Sequence, residues 1–456
     1  MSFERHIFSY LEDWKIKDNR KPLIIRGARQ VGKTTAVKEF SKTYKYKILL
    51  NLERSADRSF FNVTDDVVKI LESLFLSKNI PLKDVDKTLL FIDEIQENPK
   101  AIQLLRYFYE DLPALHVIAA GSLLEFALKD VKSFPVGRVE FLYMYPFNFA
   151  EFLNAIGHET ALEQLNNIPI SETAHKVLLE LFNKFAILGG MPEVVKEYVK
   201  NNSIAGTNYI YESIWAAYID DAEKYSRNVS SRNVIKHIMA TAPYQVDKRI
   251  KYQNFGNSNY KSREVSEAFR NLDKAKVIQL VYPTTSIDVP IMPDFKKSPR
   301  LQFLDTGILN YILGITSELI FLDDLSNAYK GAIVPQIISQ ELMSIQSQRV
   351  KPLNFWVRDK KQASSEVDLV QQVGDKIIPI EIKSGATGSL KSLHQFVDRS
   401  SHPYAVRIYA GKFEVIETKT PAGTPYLLMN LPYYLGTKIP EYLDYFVENY
   451  SGNQNL

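Results

Sequence analysis

No cysteine occurs in the 456 residues, which excludes disulfides, thiolate metal sites and a cysteine nucleophile. An excess of one charge is missing too: 56 Lys and Arg face 53 Asp and Glu, a formal net charge of +3. Bulk charge therefore does not make the molecule a polyanion binder, and any basic surface has to be local. No apolar run approaches the roughly 20 residues that span a bilayer. The opening stretch MSFERHIFSYLEDWK is charged throughout and lacks the apolar core and cleavage site of a signal peptide. The expected location is the cytoplasm, with no membrane partner. What is present, 45% hydrophobic and 24% charged residues, is the composition of a soluble globular protein. The length suggests about three domains.

The stretch KPLIIRGARQVGKTTAVKEF places Gly27, four residues, then Gly32, Lys33 and Thr34 between an apolar strand and the start of a helix. This is the P-loop pattern in its proper setting. Glycine lets backbone N–H groups turn toward a phosphate, Lys33 supplies a point charge to the outer phosphates, and Thr34 offers a hydroxyl to Mg²⁺. The expected nucleotide contacts are Gly27, Ala28, Arg29, Gln30, Val31, Gly32, Lys33, Thr34 and Thr35. Hydrolysis also needs an acid at the end of a second buried strand, and TLLFIDEIQ provides one. Four consecutive apolar residues mark a strand buried on both faces, as in a parallel sheet. Asp93 is expected to join Thr34 at Mg²⁺, and Glu94 to polarise the attacking water.

A third strand, LHVIAAGS, ends in Ser122, which suits either a γ-phosphate sensor or a helix N-cap. Arg138 is either a transition-state arginine or a solvated loop residue. Strands near 23–25, 47–52, 88–93 and 115–121, with helical stretches between, describe a doubly wound α/β sheet.

Together GARQVGKTT, LLFIDEIQ, AAGSLLE and VGRVEFLYMYPFNFAEFL resemble a large family of prokaryotic predicted ATPases in the AAA-like, STAND-related branch of P-loop proteins. LGGMPEVV (188–195) and LQFLDTGIL (301–309) are similar to that family's later landmarks. The resemblance implies an ATPase joined to a winged-helix segment and a carboxy-terminal domain like restriction endonucleases.

Residues 156–205 read as helical, with LGGMP as either a hinge or a packing turn. From 206 to 290 a helical unit ends in a strand: Val265, Ala268, Phe269 and Leu272 share one helical face, and VIQLVYP alternates. This fits the implied winged helix. Between Lys248 and Lys276 stand eight Lys or Arg (248, 249, 251, 261, 263, 270, 274, 276) against Glu264, Glu267 and Asp273. Tyr252, Phe255 and Tyr260 interleave with them. Phosphate neutralisation is one use of such a stretch; a solvated face or a protein contact is the other.

In the last third FWVR, EVDLVQQV and KIIPIEIK read as strands, and VGDK turns the second into the third. A period of two puts Glu366 and Asp368 on one face, and Glu381 and Lys383 on one face. In a hairpin, Asp368 and Glu381 can share a divalent cation, Mg²⁺ or Mn²⁺, with Lys383 beside the attacking water or the scissile phosphate. Family members show the same EVD…IEIKSG arrangement. They often carry a glutamate early in the stretch aligned with GAIVPQIISQEL, where this chain has Pro335. Glu341, almost two turns later, either substitutes or leaves the site degraded. His394 and Gln395, on a following helix, face the site or merely its surface.

The expected fold class is α/β and multidomain: an AAA-like P-loop domain at 1–155, a helical segment at 156–205, a winged-helix-like domain at 206–290, a connection at 291–330, and a restriction-endonuclease-like domain at 331–456. The expected function is ATP hydrolysis controlling a winged helix and a nuclease-like domain on DNA or RNA. The alternative is an ATP-gated switch for partner proteins or self-association, with an inactive nuclease-like domain.

Overall fold

The computed structural model describes residues 3–122, 124, 134–226, 228–320, 325, 329, 331–348, 350–359, 365–383 and 390–450. The chain divides into two compact units: residues 1–146 with 274–276 and 346–350, and residues 147–273 with 277–345 and 351–456.

The first unit is built on a parallel sheet. Its strands are β1 (Leu23–Arg26), β2 (Tyr46–Asn51), β3 (Thr88–Asp93), β4 (His116–Ala120) and β5 (Glu140–Tyr143), in the order β2-β3-β4-β1-β5. All six residues of β3 and all five of β4 are buried, as central parallel strands covered on both faces must be. Helices α1 (Ile7–Ile16), α2 (Lys33–Phe40), α3 (Ser55–Val63), α4 (Val67–Lys78) and α5 (Pro99–Asp111) do the covering. Ile48, Leu50, Leu90, Ile92, Val117 and Ala119 pack with Phe61, Ile70, Leu74, Ile102 and Leu105 of the last three helices. On the opposite face the α1 indole of Trp14 meets the ring of His116 edge-on at 5.9 Å. Because β4 separates β1 from β3, the register Ile25↔Ala120 and Ile92↔Ala119 brings the carboxyl ends of all three strands to one edge.

The second unit carries a mixed sheet: β6 (Ile278–Thr284), β7 (Arg300–Phe303), β8 (Asn354–Val357), β9 (Glu366–Val373), β10 (Lys376–Ile382), β11 (Tyr404–Tyr409), β12 (Glu414–Lys419) and β13 (Pro425–Pro432). Their order is β12-β13-β11-β10-β9-β8-β6-β7. The expected strands are present, and β9 and β10 form an antiparallel hairpin about Gly374, whose φ is +56°. Strand β6 pairs with β7 on one side and β8 on the other. The segments expected as separate domains at 206–290 and 331–456 therefore share one sheet, since an edge strand buries its backbone groups by accepting a neighbour.

LGGMP and LDTG, distant in sequence, interlock. The fully buried Asp305 carboxylate accepts N–H groups from Gly190 at 2.6 Å and Ile308 at 3.0 Å, and Gln340 Nε2 donates to it at 3.4 Å. Gly190 must be glycine, because a Cβ there would collide with the Phe147 carbonyl. The helix ending at Leu188 has its last carbonyls taken by Asn310 Nδ2 and Tyr211 Oη, which satisfies groups that a helix end leaves orphaned. Among the described residues no helix is long and apolar enough to cross a membrane.

The helix Ile333–Ser344 tolerates Pro335 because its third position needs no N–H partner. Glu341 does not stand in for the acid that Pro335 displaces. It is fully buried and accepts the Phe149 N–H at 3.0 and 3.3 Å. Burial raises its pKa well above the carboxylate range, and Glu151 nearby adds to the rise. A folded pKa raised above the unfolded value gives stability that is present at low pH and lost as pH rises through the folded pKa. Glu341→Gln keeps the acceptor for Phe149 and removes the ionisation. Thermal unfolding should then match wild type near pH 5, and exceed it at alkaline pH.

Candidate nucleotide site and the carboxy-terminal acid cluster

The aligned strand ends assemble the first site. After β1 the chain leaves through Gly27, at φ +151°, where a Cβ would strike the Met144 carbonyl. Gln30 sits at φ +64° and Gly32 at φ +95°, so successive N–H groups curl before α2 begins at Lys33. Lys33 Nζ donates to the carbonyls of Gly27 at 3.1 Å and Ala28 at 2.7 Å. Burial lowers its pKa to about 8, against the opposing pull of Glu94 and Asp93. Thr34 Oγ1 donates to Asp93 Oδ2 at 2.8 Å, and Asp93 Oδ1 accepts the Glu94 N–H at 3.1 Å. Burial raises the Asp93 pKa, with the Thr34 hydrogen bond opposing it. A hydroxyl and a carboxylate at this spacing are the oxygen donors Mg²⁺ prefers. Val31 is buried, Arg29 half-buried, and Thr35 exposed at the start of α2. Ser122 is half-buried beyond the end of β4, at the same edge.

Two contributors lay outside the sequence reading. Arg5 ties the loop down, donating to the carbonyls of Val31 at 3.2 Å and Tyr145 at 2.7 Å. Gln96 donates from Nε2 to Glu94 Oε2 at 2.5 Å. Glu94 itself is left-handed, at φ +49°, and the Gln96 amide oxygen fills the space beside Gly121 that a Cβ would occupy. One carboxylate oxygen of Glu94 is thus fixed by Gln96. Misplacing a reacting group by an ångström can reduce rate by roughly 10²-fold. Gln96→Ala should accordingly lower kcat by about tenfold or more while ATP affinity stays within about twofold, as single-turnover kinetics would read.

Of the two readings of Arg138, its position suits the loop residue. It precedes β5, whose first residue pairs with Leu23 at the start of β1, so it lies at the edge opposite the P-loop. Its Nε donates to Glu110 of α5 at 3.1 Å.

In the second unit the β9–β10 register sets Asp368 opposite Glu381, next to the pair Leu369↔Ile380. Lys383 Nζ bonds Glu381 Oε1 at 2.5 Å, and Asp368 Oδ2 accepts the Ile382 N–H at 2.8 Å. The expected cluster is therefore on one face, but Arg300 of β7 enters it. Its Nη1 bonds Asp368 Oδ1 at 2.9 Å and its Nη2 bonds Glu366 Oε2 at 2.9 Å. Arg249 Nη1 adds a 3.0 Å bond to Glu366. Among the described residues no group of three or more His, Cys, Asp or Glu is placed to hold a metal. The carboxylates expected to share Mg²⁺ or Mn²⁺ are thus paired with arginine and lysine side chains in this structure. His394 Nε2 pairs with the Tyr426 hydroxyl at 3.0 Å, and Gln395 Oε1 accepts from Ser365 and Arg358. Ser384 and Gly385, which close the IEIKSG string, lie outside the described residues.

The fold is that of a P-loop α/β domain, with Thr34 and Asp93 paired at the strand ends. Residues 19–153 match the AAA domain family, residues 179–319 a domain of unknown function (DUF8612), and residues 330–422 another (DUF4143). The amino-terminal domain is thus a P-loop ATPase domain of the AAA kind. No curated protein matches. Among solved structures, a Walker-type ATPase of Pyrococcus abyssi is 16% identical, with a TM-score of 0.43 over 68% of this chain and 96% of that one. A STAND ATPase of Pyrococcus horikoshii with a tetratricopeptide repeat sensor is 13% identical, with a TM-score of 0.27 over 74% of this chain and 45% of that one. The Pif1 helicase of Candida albicans is 15% identical, with a TM-score of 0.24 over 40% and 48%.

Proposed function

We propose that the chain hydrolyses ATP at this edge and uses its nucleotide state to govern engagement of nucleic acid by the second unit, in the cytoplasm. The observation that carries the ATP reading is the Thr34–Asp93 contact at 2.8 Å, with Lys33 and Glu94 at the same strand ends. The loop N–H groups and the α2 amino terminus receive the phosphates. Lys33 exchanges its carbonyl partners for an outer phosphate. Thr34 and Asp93 would hold Mg²⁺, whose charge would offset that of the phosphate oxygens. Glu94, aimed by Gln96, accepts the proton of the attacking water, and Ser122 stands where the γ-phosphate would be sensed. Any role of Arg138 in hydrolysis would be toward a second copy of the chain.

The nucleic-acid reading rests on the helix Ser262–Lys274, which buries Val265, Ala268, Phe269 and Leu272 and leaves Arg263, Arg270 and Lys274 exposed. Followed by the antiparallel pair β6–β7, it suits a winged helix beside a nuclease-derived sheet. The test is affinity for duplex and single-stranded DNA and RNA at two salt concentrations, comparing Lys33→Ala with an ATP-loaded Glu94→Gln variant. Phosphate contacts give a steep salt dependence. Salt-dependent binding that differs between the two variants supports the reading, and no binding under any condition removes it.

One observation favours the second reading, a switch acting on partner proteins. The interleaved aromatics turn inward: Phe255 packs edge-on to Phe269 at 4.8 Å, Tyr252 lies 5.9 Å from the same ring, and Tyr260 meets His237 at 5.5 Å. They form no stacking platform for bases.

A further inference from the structure

We infer that Arg300 replaces the divalent cation of the carboxy-terminal acid cluster, so that this sheet binds no catalytic metal and cuts no phosphodiester. The inference deepens the proposed reading of the sheet as nuclease-derived, and rests on it.

The guanidinium is placed as a bridging cation. Its two terminal nitrogens reach carboxylates two residues apart on one strand face, Asp368 and Glu366, each at 2.9 Å. A third carboxylate, Asp247, stands 3.9 Å away. Backbone pairing explains its arrival: Asp247 N–H donates to the Leu301 carbonyl at 2.7 Å and Ile250 N–H to Pro299 at 2.9 Å, laying residues 247–250 beside β7. The Phe355 ring closes the site, 4.6 Å from the guanidinium carbon, and the Arg300 side chain is only 11% exposed. Arginine suits such a role because its planar fork meets two carboxylate oxygens at once and never gives up its charge in proteins. Burial by itself would lower the Arg300 pKa; Asp368, Asp247 and Glu366 more than offset this and raise it above its ordinary value.

The neighbouring groups are consistent with a closed site. Both Asp368 oxygens are engaged, one by Arg300 and the other by the Ile382 N–H. Glu381 gives one oxygen to Lys383 and keeps the other buried without a hydrogen-bond partner. A divalent cation held between Asp368 and Glu381 would sit against the Arg300 charge in a region of low dielectric, where like charges repel strongly. That lone Glu381 oxygen is the ligand position that opens when the arginine is removed.

The test uses the full nucleotide-free chain in four forms: wild type, Arg300→Gln, Arg300→Lys and Arg300→Gln with Glu381→Gln. Mn²⁺ uptake is measured by electron paramagnetic resonance and by the shift in thermal unfolding. The Thr34–Asp93 site is common to all four and cancels. Arg300→Gln should bind one Mn²⁺ more than wild type, at least tenfold more tightly than any uptake by Arg300→Lys, and the double variant should lose it. Equal Mn²⁺ binding by wild type and Arg300→Gln would overturn the inference. If Arg300→Gln does not fold, Glu381→Gln alone decides: unchanged Mn²⁺ uptake upholds the inference, and lost uptake overturns it. Plasmid cleavage by wild type that Glu381→Gln abolishes would overturn it as well. ATP turnover in the same samples reports separately on the P-loop site.

Discussion

Glu94→Gln should bind ATP as wild type does and turn it over about 10² to 10⁴-fold more slowly, the range lost when a positioned general base is removed. The split follows from the geometry. In the proposed mechanism nucleotide affinity comes from the loop that turns at Gly27, Gln30 and Gly32 and from Lys33, none of which Glu94 touches by hydrogen bond. Glu94 stands instead at the end of β3, with one carboxylate oxygen held by Gln96. Glutamine preserves its size and its acceptor for Gln96 but cannot take a proton from water. Fluorescent-nucleotide binding and phosphate release, measured on one preparation, check both halves. Normal turnover by Glu94→Gln would remove Glu94 from the mechanism.

Asp305→Ala should be the most damaging substitution outside the nucleotide site. The carboxylate is fully buried and supplies acceptors to Gly190, Ile308 and Gln340. Removing it leaves buried donors unpaired at about 1–3 kcal/mol each. A loss of about 3–5 kcal/mol, at the upper end for single substitutions, is expected from urea midpoints. Burial raises the Asp305 pKa to about 6, against the opposing backbone bonds of Gly190, Ile308 and Gly307. An unfolded aspartate ionises near 3.9, so the folded state keeps the proton longer. The contribution to stability is full below about pH 4 and falls away as pH rises through about 6. In Asp305→Ala that slope should vanish. A wild-type-like midpoint would show that the LGGMP and LDTG segments are held together by something other than this carboxylate.

The P-loop domain was legible because its motifs are local. GARQVGKTT and FIDE each name their residues within a few positions, and the apolar runs ahead of them announce buried parallel strands. The β9–β10 hairpin was legible for the same reason, with alternation and the turn at Gly374 fixing which side chains share a face. What sequence could not supply were partners from distant segments. Arg300 lies 68 residues from Asp368, and no local pattern distinguishes it from a surface arginine. Arg5 reaches Val31 and Tyr145 only through the fold. The two readings of Arg138 stayed open for the complementary reason: a loop before a strand can lie at either edge of a sheet, and only register decides which. Gln96 did have a signal, a polar residue two positions after Glu94, but nothing in a period or spacing says that the two side chains meet.

The measurement that bears most directly on the account is phosphate release from ATP with Mg²⁺ by wild type and Lys33→Ala, prepared in parallel and shown to be equally folded. Steady turnover by wild type that is abolished in Lys33→Ala is the predicted result. Equal turnover in the two proteins, or none in wild type while it binds ATP and Mg²⁺, would contradict the claim that this edge of the sheet is a working hydrolytic site.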